Sequence, residues 1–196
     1  MLEIVDKTFE PSEIIKNINT EVKSKISNKD IKSLLKWYES DLGKKITKVE
    51  EDSSTAEAYE QMIRDARVIM QDKKKVFFAK RVDKLLNVTS MVAELQKNTA
   101  IAVYSSTNRP TKSEMAIFRS QLLSQRQHIE ANSHQMVILS FAYSYRDIDE
   151  KDLNKYMNFL KQSSTKKFND AAMSGIVKSL NKSVLDMANS FANITK

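Results

Sequence analysis

Residues 34–46 read LLKWYESDLGKKI, and this stretch decides the fold. Its apolar side chains recur three or four residues apart, which is the spacing of one face of an α-helix. The spacing continues on both sides, so that a single apolar stripe is formed by Ile31, Leu34, Leu35, Tyr38, Leu42, Ile46 and Val49. Gly43 stands where a bend or a close approach of two helices is tolerated. The stretch therefore predicts an amphipathic helical motif with a bend near Gly43.

A second copy of this motif follows 122 residues later. With Asp30 placed on Asp152, Trp37 falls on Phe159 and the two basic pairs coincide. The second apolar stripe consists of Leu153, Tyr156, Met157, Leu160, Phe168 and Ala171. Since each copy has one apolar face to bury, we expect a pseudo-symmetric helical bundle with an internal duplication. Residues 9–52 and 130–194 would be its counterpart arms.

The composition favours an all-α protein. Gly and Pro occur only twice each in 196 residues, which is too few for the tight turns of a β-sandwich or an α/β fold. Cys is absent, which excludes disulfides, thiolate catalysis and Cys-ligated metal sites. The net charge of +7 favours anionic partners such as nucleic acid, phospholipid headgroups or acidic proteins.

Helix starts are marked by capping boxes, in which a Ser, Thr or Asp precedes an acidic residue by three positions. These pairs are Ser27 with Asp30, Ser54 with Glu57, Thr111 with Glu114, and Asp149 with Asp152. With Pro11 in the first turn of the first helix, the predicted helices lie near 9–25, 28–40, 42–52, 55–106, 112–146, 150–162 and 165–194.

The central helix and the loop after it set the expected domain organisation. A continuous helix over 55–106 would be about 78 Å long, so we predict a kink or break near 71–75 or near 87–89. The polar loop at 105–110 ends in Pro and divides the chain into halves of similar size. We therefore predict a single domain, 1–196, with pseudo-symmetric halves at about 1–107 and 108–196.

The first copy of the motif, within residues 27–50, resembles the signature of the DUF2059 family. That signature has an aromatic pair and then Ser-Pro-x-Gly-Lys after a capped helix, and Trp37, Tyr38, Ser40 and Gly43 match it. Asp41 stands where the family often has Pro, and the second copy lacks the glycine. The resemblance implies an all-helical, bacterial protein, commonly with a secretion signal and hence periplasmic. It implies no catalytic residue, because the function of the family is not established.

Two sets of residues in the motifs are candidate binding sites. Trp37, Tyr38, Gly43 and Phe159 are candidates for lining a ligand groove, although an aromatic stripe at helical spacing more often lies in the core. Candidate anion-binding residues near helix N-termini are Lys44, Lys45, Lys48, Lys166 and Lys167. The alternative for the lysines is a solvated basic face.

Three other features of the sequence bear on its possible chemistry. Residues 73–81 mix cations and aromatics, which suits an anionic surface, but the same spacing predicts a core helix with its phenyl groups inward. Glu130 and His134 share a helix face without further ligands, so we expect no metal site. Without a Gly-rich loop, we also expect no nucleotide or other cofactor.

The favoured function is a non-enzymatic binding or structural protein of the bacterial cell envelope, with an unidentified ligand. A protein partner or a second copy is favoured over nucleic acid, and no apolar run is long enough for a transmembrane segment. The N-terminus at residues 1–7 lacks the pattern of a signal peptide, so the periplasmic expectation follows from the resemblance alone and a cytoplasmic location is the alternative. The alternative functions are a basic protein that binds nucleic acid or an anionic membrane surface, and an enzyme with a site assembled from distant side chains.

Overall fold

A computed structural model describes residues 10–194, and within them the chain forms helices without any strand. The predicted all-α class is confirmed. The ten helices of this range are α1 Pro11–Lys25, α2 Asn28–Tyr38, α3 Asp41–Asp52, α4 Ala56–Ile69, α5 Lys73–Leu86, α6 Val88–Asn108, α7 Lys112–Ser124, α8 Arg126–Ser144, α9 Glu150–Leu160 and α10 Ser163–Ile194. Phe9 and residues 1–7, on which two of the sequence predictions fall, lie outside the described range.

The helix starts follow local side-chain chemistry. The predicted caps at Ser27, Thr111 and Asp149 are confirmed, because each side chain accepts a hydrogen bond from the backbone N–H three residues later. The prediction for Ser54 is wrong: Thr55 caps α4 by accepting from Ala58 N at 3.1 Å. The Ser54 hydroxyl instead donates to Glu50 O in the last turn of the preceding helix.

The predicted central helix breaks at both of the places where a break was expected. A turn at residues 70–72 separates α4 from α5, and Asp72 then caps α5 by accepting from two backbone N–H groups. Asn87 separates α5 from α6 with a φ of 56°, the left-handed conformation that Asn adopts more readily than most residues. The predicted helix over 112–146 also breaks, at Gln125. No described helix is long and apolar enough to cross a membrane.

The chain divides into two compact units, and each combines segments from both predicted halves. The first unit comprises Met1–Ser24, Thr89–Ser133 and Ala171–Lys196, and the second comprises Lys25–Val88 and His134–Asp170. Contacts thus group the chain differently from the predicted halves at about 1–107 and 108–196. The single domain with pseudo-symmetric halves stays a prediction.

In the first unit, α1 lies directly against α10. Gly175 lets the two backbones meet, since a Cβ at this position would lie 2.6 Å from Ile18 Cα. Polar contacts flank the approach: Asn17 Nδ2 donates to Ser179 Oγ at 3.0 Å, and the Lys178 ammonium donates to Glu21. The core of this unit is thin, with Ala102 packed against Val184 and the Tyr104 and Phe118 rings stacked 4.0 Å apart.

The second unit holds most of the large buried side chains. One cluster joins Met62 of α4 to Leu139 and Tyr143 of α8. A neighbouring cluster joins Ala79 of α5 to Ile138 and Ala142 of α8. A third group of buried residues contains the motif side chains and forms the site described next.

Candidate functional site

The turn between α2 and α3 is built by Ser40 and Gly43. The Ser40 hydroxyl donates to Trp37 O at 2.6 Å and accepts from Gly43 N at 3.1 Å, so it closes the end of one helix and the start of the next. A Cβ on Gly43 would lie 2.0 Å from Trp37 O and 2.9 Å from Tyr38 Cα. Only glycine therefore allows α3 to start this close to the end of α2.

This turn presents the aromatic side chains of the motif to α9. The Trp37 and Phe159 rings are stacked with centroids 3.8 Å apart and planes 6° from parallel. Tyr38 meets Phe159 edge-on at 5.7 Å, and Tyr156 stacks on Trp37 at 5.6 Å. The predicted groove residues are thus brought together, but their rings fill the space between the helices by contacting one another. Phe159 is 2% exposed, while Trp37 and Tyr38 are half-buried.

A polar centre adjoins the aromatic rings, and the sequence analysis did not predict it. Tyr145 Oη donates to Glu50 Oε1 at 2.6 Å, and Tyr156 Oη donates to the same oxygen at 2.8 Å. Glu50 is half-buried and accepts from both phenols. The available signal was the position of Tyr156 in the apolar stripe, since a buried phenol needs a polar partner.

Burial and the nearby carboxylate disfavour ionisation of the surrounding phenols. Burial, with the charge of Glu50, raises the pKa of Tyr38 to about 12. Burial also raises the pKa of Tyr145 well above its usual value, and the contacts with Tyr156 and Glu50 add to the effect. The pKa of Tyr156 is raised well above its usual value by burial and by the charge of Glu50.

These shifts predict cooperative alkaline unfolding of the second unit. Because the pKa values of the three phenols are higher in the folded state than the unfolded value near 10, their contribution to stability is complete below about pH 10 and is lost as the pH rises through their folded pKa values, which for Tyr38 is about 12. In a spectrophotometric titration followed together with circular dichroism, these phenolates are expected to appear only as helix is lost. Three phenols that ionise near pH 10 in a fully helical Tyr59→Phe, Tyr104→Phe, Tyr143→Phe variant would contradict this expectation.

The candidate anion-binding lysines are partly neutralised by carboxylates. Lys45 Nζ lies 3.2 Å from Asp152, Lys167 Nζ lies 3.1 Å from Asp30, and Lys48 Nζ lies 2.6 Å from Asp52. The remaining two, Lys44 and Lys166, are exposed. An external anion would therefore have to compete with a carboxylate at three of the five predicted positions.

Two of these ion pairs are reciprocal. Asp30 and Asp152 lie in the first turns of α2 and α9, and each accepts from a lysine of the other copy of the motif. Hydrogen bonds from Ser27 and Lys167 lower the pKa of Asp30, and those from Lys155 and Lys45 lower the pKa of Asp152. The members of each equivalent pair are 122 residues apart, as Trp37 and Phe159 are. The internal duplication itself stays a prediction.

Each of the two histidines contacts a polar side chain of its own unit. His134 Nδ1 is 3.3 Å from the buried Asp83, and the His128 ring contacts Asn132 at 3.0 Å. Among the described residues, no group of three or more His, Asp and Glu side chains converges as a metal site would require.

The basic and aromatic segment 73–81 differs from its predicted orientation at one residue. Phe78 is buried as expected, but Phe77 is 62% exposed. Two consecutive residues of a helix point about 100° apart, so the two rings cannot share the inward face. The prediction that both phenyl groups point inward is therefore wrong for Phe77.

The sequence from the end of α1 to the turn after α4 is similar to a known family. The family is DUF2059, described as an uncharacterized protein conserved in bacteria. Residues 23–72 match DUF2059. The DUF2059 segment includes Trp37, Gly43 and Glu50, while Phe159 and Tyr156 lie outside it. No curated protein and no solved structure matches the chain.

Proposed function

We propose that the protein is a non-enzymatic helical binding protein of the bacterial cell envelope. The observation that carries the proposal is the aromatic cluster: the side chains of the DUF2059 motif stack on those of α9 at 3.8 Å. Their geometry is that of a packing core, which supports a role for the motif as a scaffold. Binding is then a property of the helical surfaces that this scaffold holds in place.

The polar centre supports the same role. The Glu50 carboxylate accepts from two phenols, both of which are held in their neutral form by burial. A carboxylate that already accepts two hydrogen bonds contributes to the uniqueness of the packing. Reciprocal ion pairs at the starts of α2 and α9 add further polar contacts across the cluster.

The envelope location is proposed from the family. Residues 23–72 match DUF2059, a family conserved in bacteria, and the resemblance implies proteins that commonly carry a secretion signal. In the proposed location the helical surfaces would face the periplasm.

Cell fractionation tests this function. The native gene, expressed from its own start with a C-terminal tag, is expected to yield protein that is released by osmotic shock together with a periplasmic marker. The matched control is the same gene begun at Met1 of this sequence and fused to a cytoplasmic carrier. Full-length native protein that stays with the cytoplasmic marker would overturn the envelope role.

One observation favours the second candidate function, binding to an anionic surface. The outward side of α5 carries several cations around the exposed ring of Phe77. An envelope protein could bind through this side of α5. The second candidate therefore specifies which surface of the proposed binding protein would act, and it does not replace the envelope proposal.

A further inference from the structure

One side of α5 carries only cations and a single phenyl ring. At about 100° per residue, the positions three, four and seven residues from Phe77 lie within about 60° of it around the helix. We call this the basic face, and it consists of Lys73, Lys74, Phe77, Lys80, Arg81 and Lys84. It contains no acidic residue.

The opposite side of α5 fixes how the basic face is presented. Phe78, Ala79 and Val82 are buried, with Ala79 packed against α8. The Lys75 ammonium donates to the carbonyl oxygens of Tyr145, at 2.8 Å, and Ile148, which ties the first turn of α5 to the segment between α8 and α9. The basic face is therefore held on the outside of the second unit by buried contacts on its other side.

Most of the cations on the basic face have no carboxylate partner in residues 10–194. Lys73, Lys80 and Lys84 are exposed and form no ion pair within that range. Lys74 is paired with Glu150 at 3.1 Å, and Arg81 lies over the Phe77 ring at 5.7 Å. Arg81 and Phe77 thus form a cation–π pair in the middle of the face.

One apolar side chain is exposed together with this charge. Phe77 is 62% exposed, a large fraction for a phenyl ring in a folded protein. A cluster of four or more Lys and Arg side chains on one side of a helix is typical of segments that bind anionic lipid headgroups.

We infer that the basic face of α5 docks the protein onto an anionic phospholipid surface. The cations would meet the lipid phosphates while the Phe77 ring enters the boundary between headgroups and acyl chains. The basic face is the convex side of a single helix, which suits an extended lipid surface better than a peptide that would need a groove. A protein interface would need an apolar centre of several side chains, and the face has one. The inference rests on the proposed function, because an envelope protein meets such a surface.

Vesicle sedimentation tests the inference with the full chain. The vesicles are phosphatidylcholine alone, or phosphatidylcholine with phosphatidylglycerol. The test variants are Lys73→Gln/Lys80→Gln/Lys84→Gln and Phe77→Ser. The matched controls are Lys29→Gln/Lys32→Gln/Lys36→Gln and Leu35→Ser, because these residues of α2 are exposed and their replacement removes the same charge or a similar apolar area.

We expect binding to the anionic vesicles and little binding to the neutral ones. Since each cation near such a surface contributes about fivefold, the triple variant of α5 should lose about a hundredfold in affinity, and the α2 triple variant should change by less than about fivefold. Phe77→Ser should lose about fivefold or more, and Leu35→Ser should bind as the unmodified chain does. Binding should weaken as the salt concentration rises, because a shorter Debye length screens the attraction between the cations and the lipid phosphates.

Three results would overturn the inference. They are equal binding to neutral and anionic vesicles, equal losses in the two triple variants, and tighter binding to single- or double-stranded DNA than to anionic vesicles at one ionic strength. The last result would assign the basic face to nucleic acid. A failure of vesicle binding with periplasmic protein intact would leave the proposed function standing, whereas a cytoplasmic location would refute that function whatever the vesicles show.

Discussion

Phe159→Ala is expected to lower the free energy of unfolding by about 3–5 kcal/mol. The phenyl ring is 2% exposed and stacks on Trp37, so its removal leaves a cavity that the flanking helices can close only in part. Trp37→Ala should cost about 3 kcal/mol, toward the lower end of the range, because that side chain is half-buried. Urea denaturation followed by circular dichroism measures both losses.

A double-mutant cycle separates the ring–ring contact from burial. The double variant should show a coupling energy of about 0.5–1.5 kcal/mol, which is the contribution of stacked rings beyond the area they bury. Phe77→Ala is the matched control, since the same atoms leave an exposed site on α5 and the expected change is within about 0.5 kcal/mol. Losses below about 1 kcal/mol for Phe159→Ala would mean that the cluster is not the core of the second unit.

Gly43→Ala is expected to destabilise by about 3 kcal/mol or more, although alanine is the better helix former by about 1 kcal/mol. The added methyl group would lie 2.0 Å from Trp37 O and 2.9 Å from Trp37 C, and neither of these backbone atoms can rotate away. The α2–α3 turn would have to open, which also disturbs the Trp37–Phe159 stack. Trp37 is the only tryptophan, so its fluorescence reports this turn directly during denaturation.

Lys44→Ala is the control for the glycine substitution. It also places an alanine in this helical turn, but at an exposed position where the Cβ is already present and only the outer part of the side chain is removed. We expect a change within about 0.5 kcal/mol. A Gly43→Ala protein as stable as Lys44→Ala would show that the close approach of α2 and α3 is not required.

Features of the fold that depend on neighbours in sequence were predictable. The caps at Thr111 and Asp149 depend on residues three positions away, and the break at Asn87 depends on its own backbone preference. The cap of α4 was misplaced by one residue because Glu57 lies three positions after Ser54 and so favoured it over the adjacent hydroxyl of Thr55.

Features that depend on distant partners were not predictable. The predicted repeat treats Trp37 and Phe159 as equivalent positions, but equivalence does not imply contact, which arises from how α2 meets α9. The role of Glu50 was not predicted, because its two donors lie 95 and 106 residues further along the chain. The orientation of Phe77 was predicted wrongly because Phe77 is adjacent to Phe78 in the sequence and was assumed to share its buried apolar stripe.

The distance in sequence between the two copies of the motif has a consequence for synthesis. Trp37 leaves the ribosome 122 residues ahead of the ring on which it stacks. At about 5–20 residues per second, the apolar stripe of α2 and α3 stays uncovered for roughly 6–24 s before Phe159 is synthesised. Asp30 meanwhile lacks Lys167, although its local bond with Ser27 can already form. The nascent α2 and α3 therefore need protection from aggregation until α9 has been synthesised.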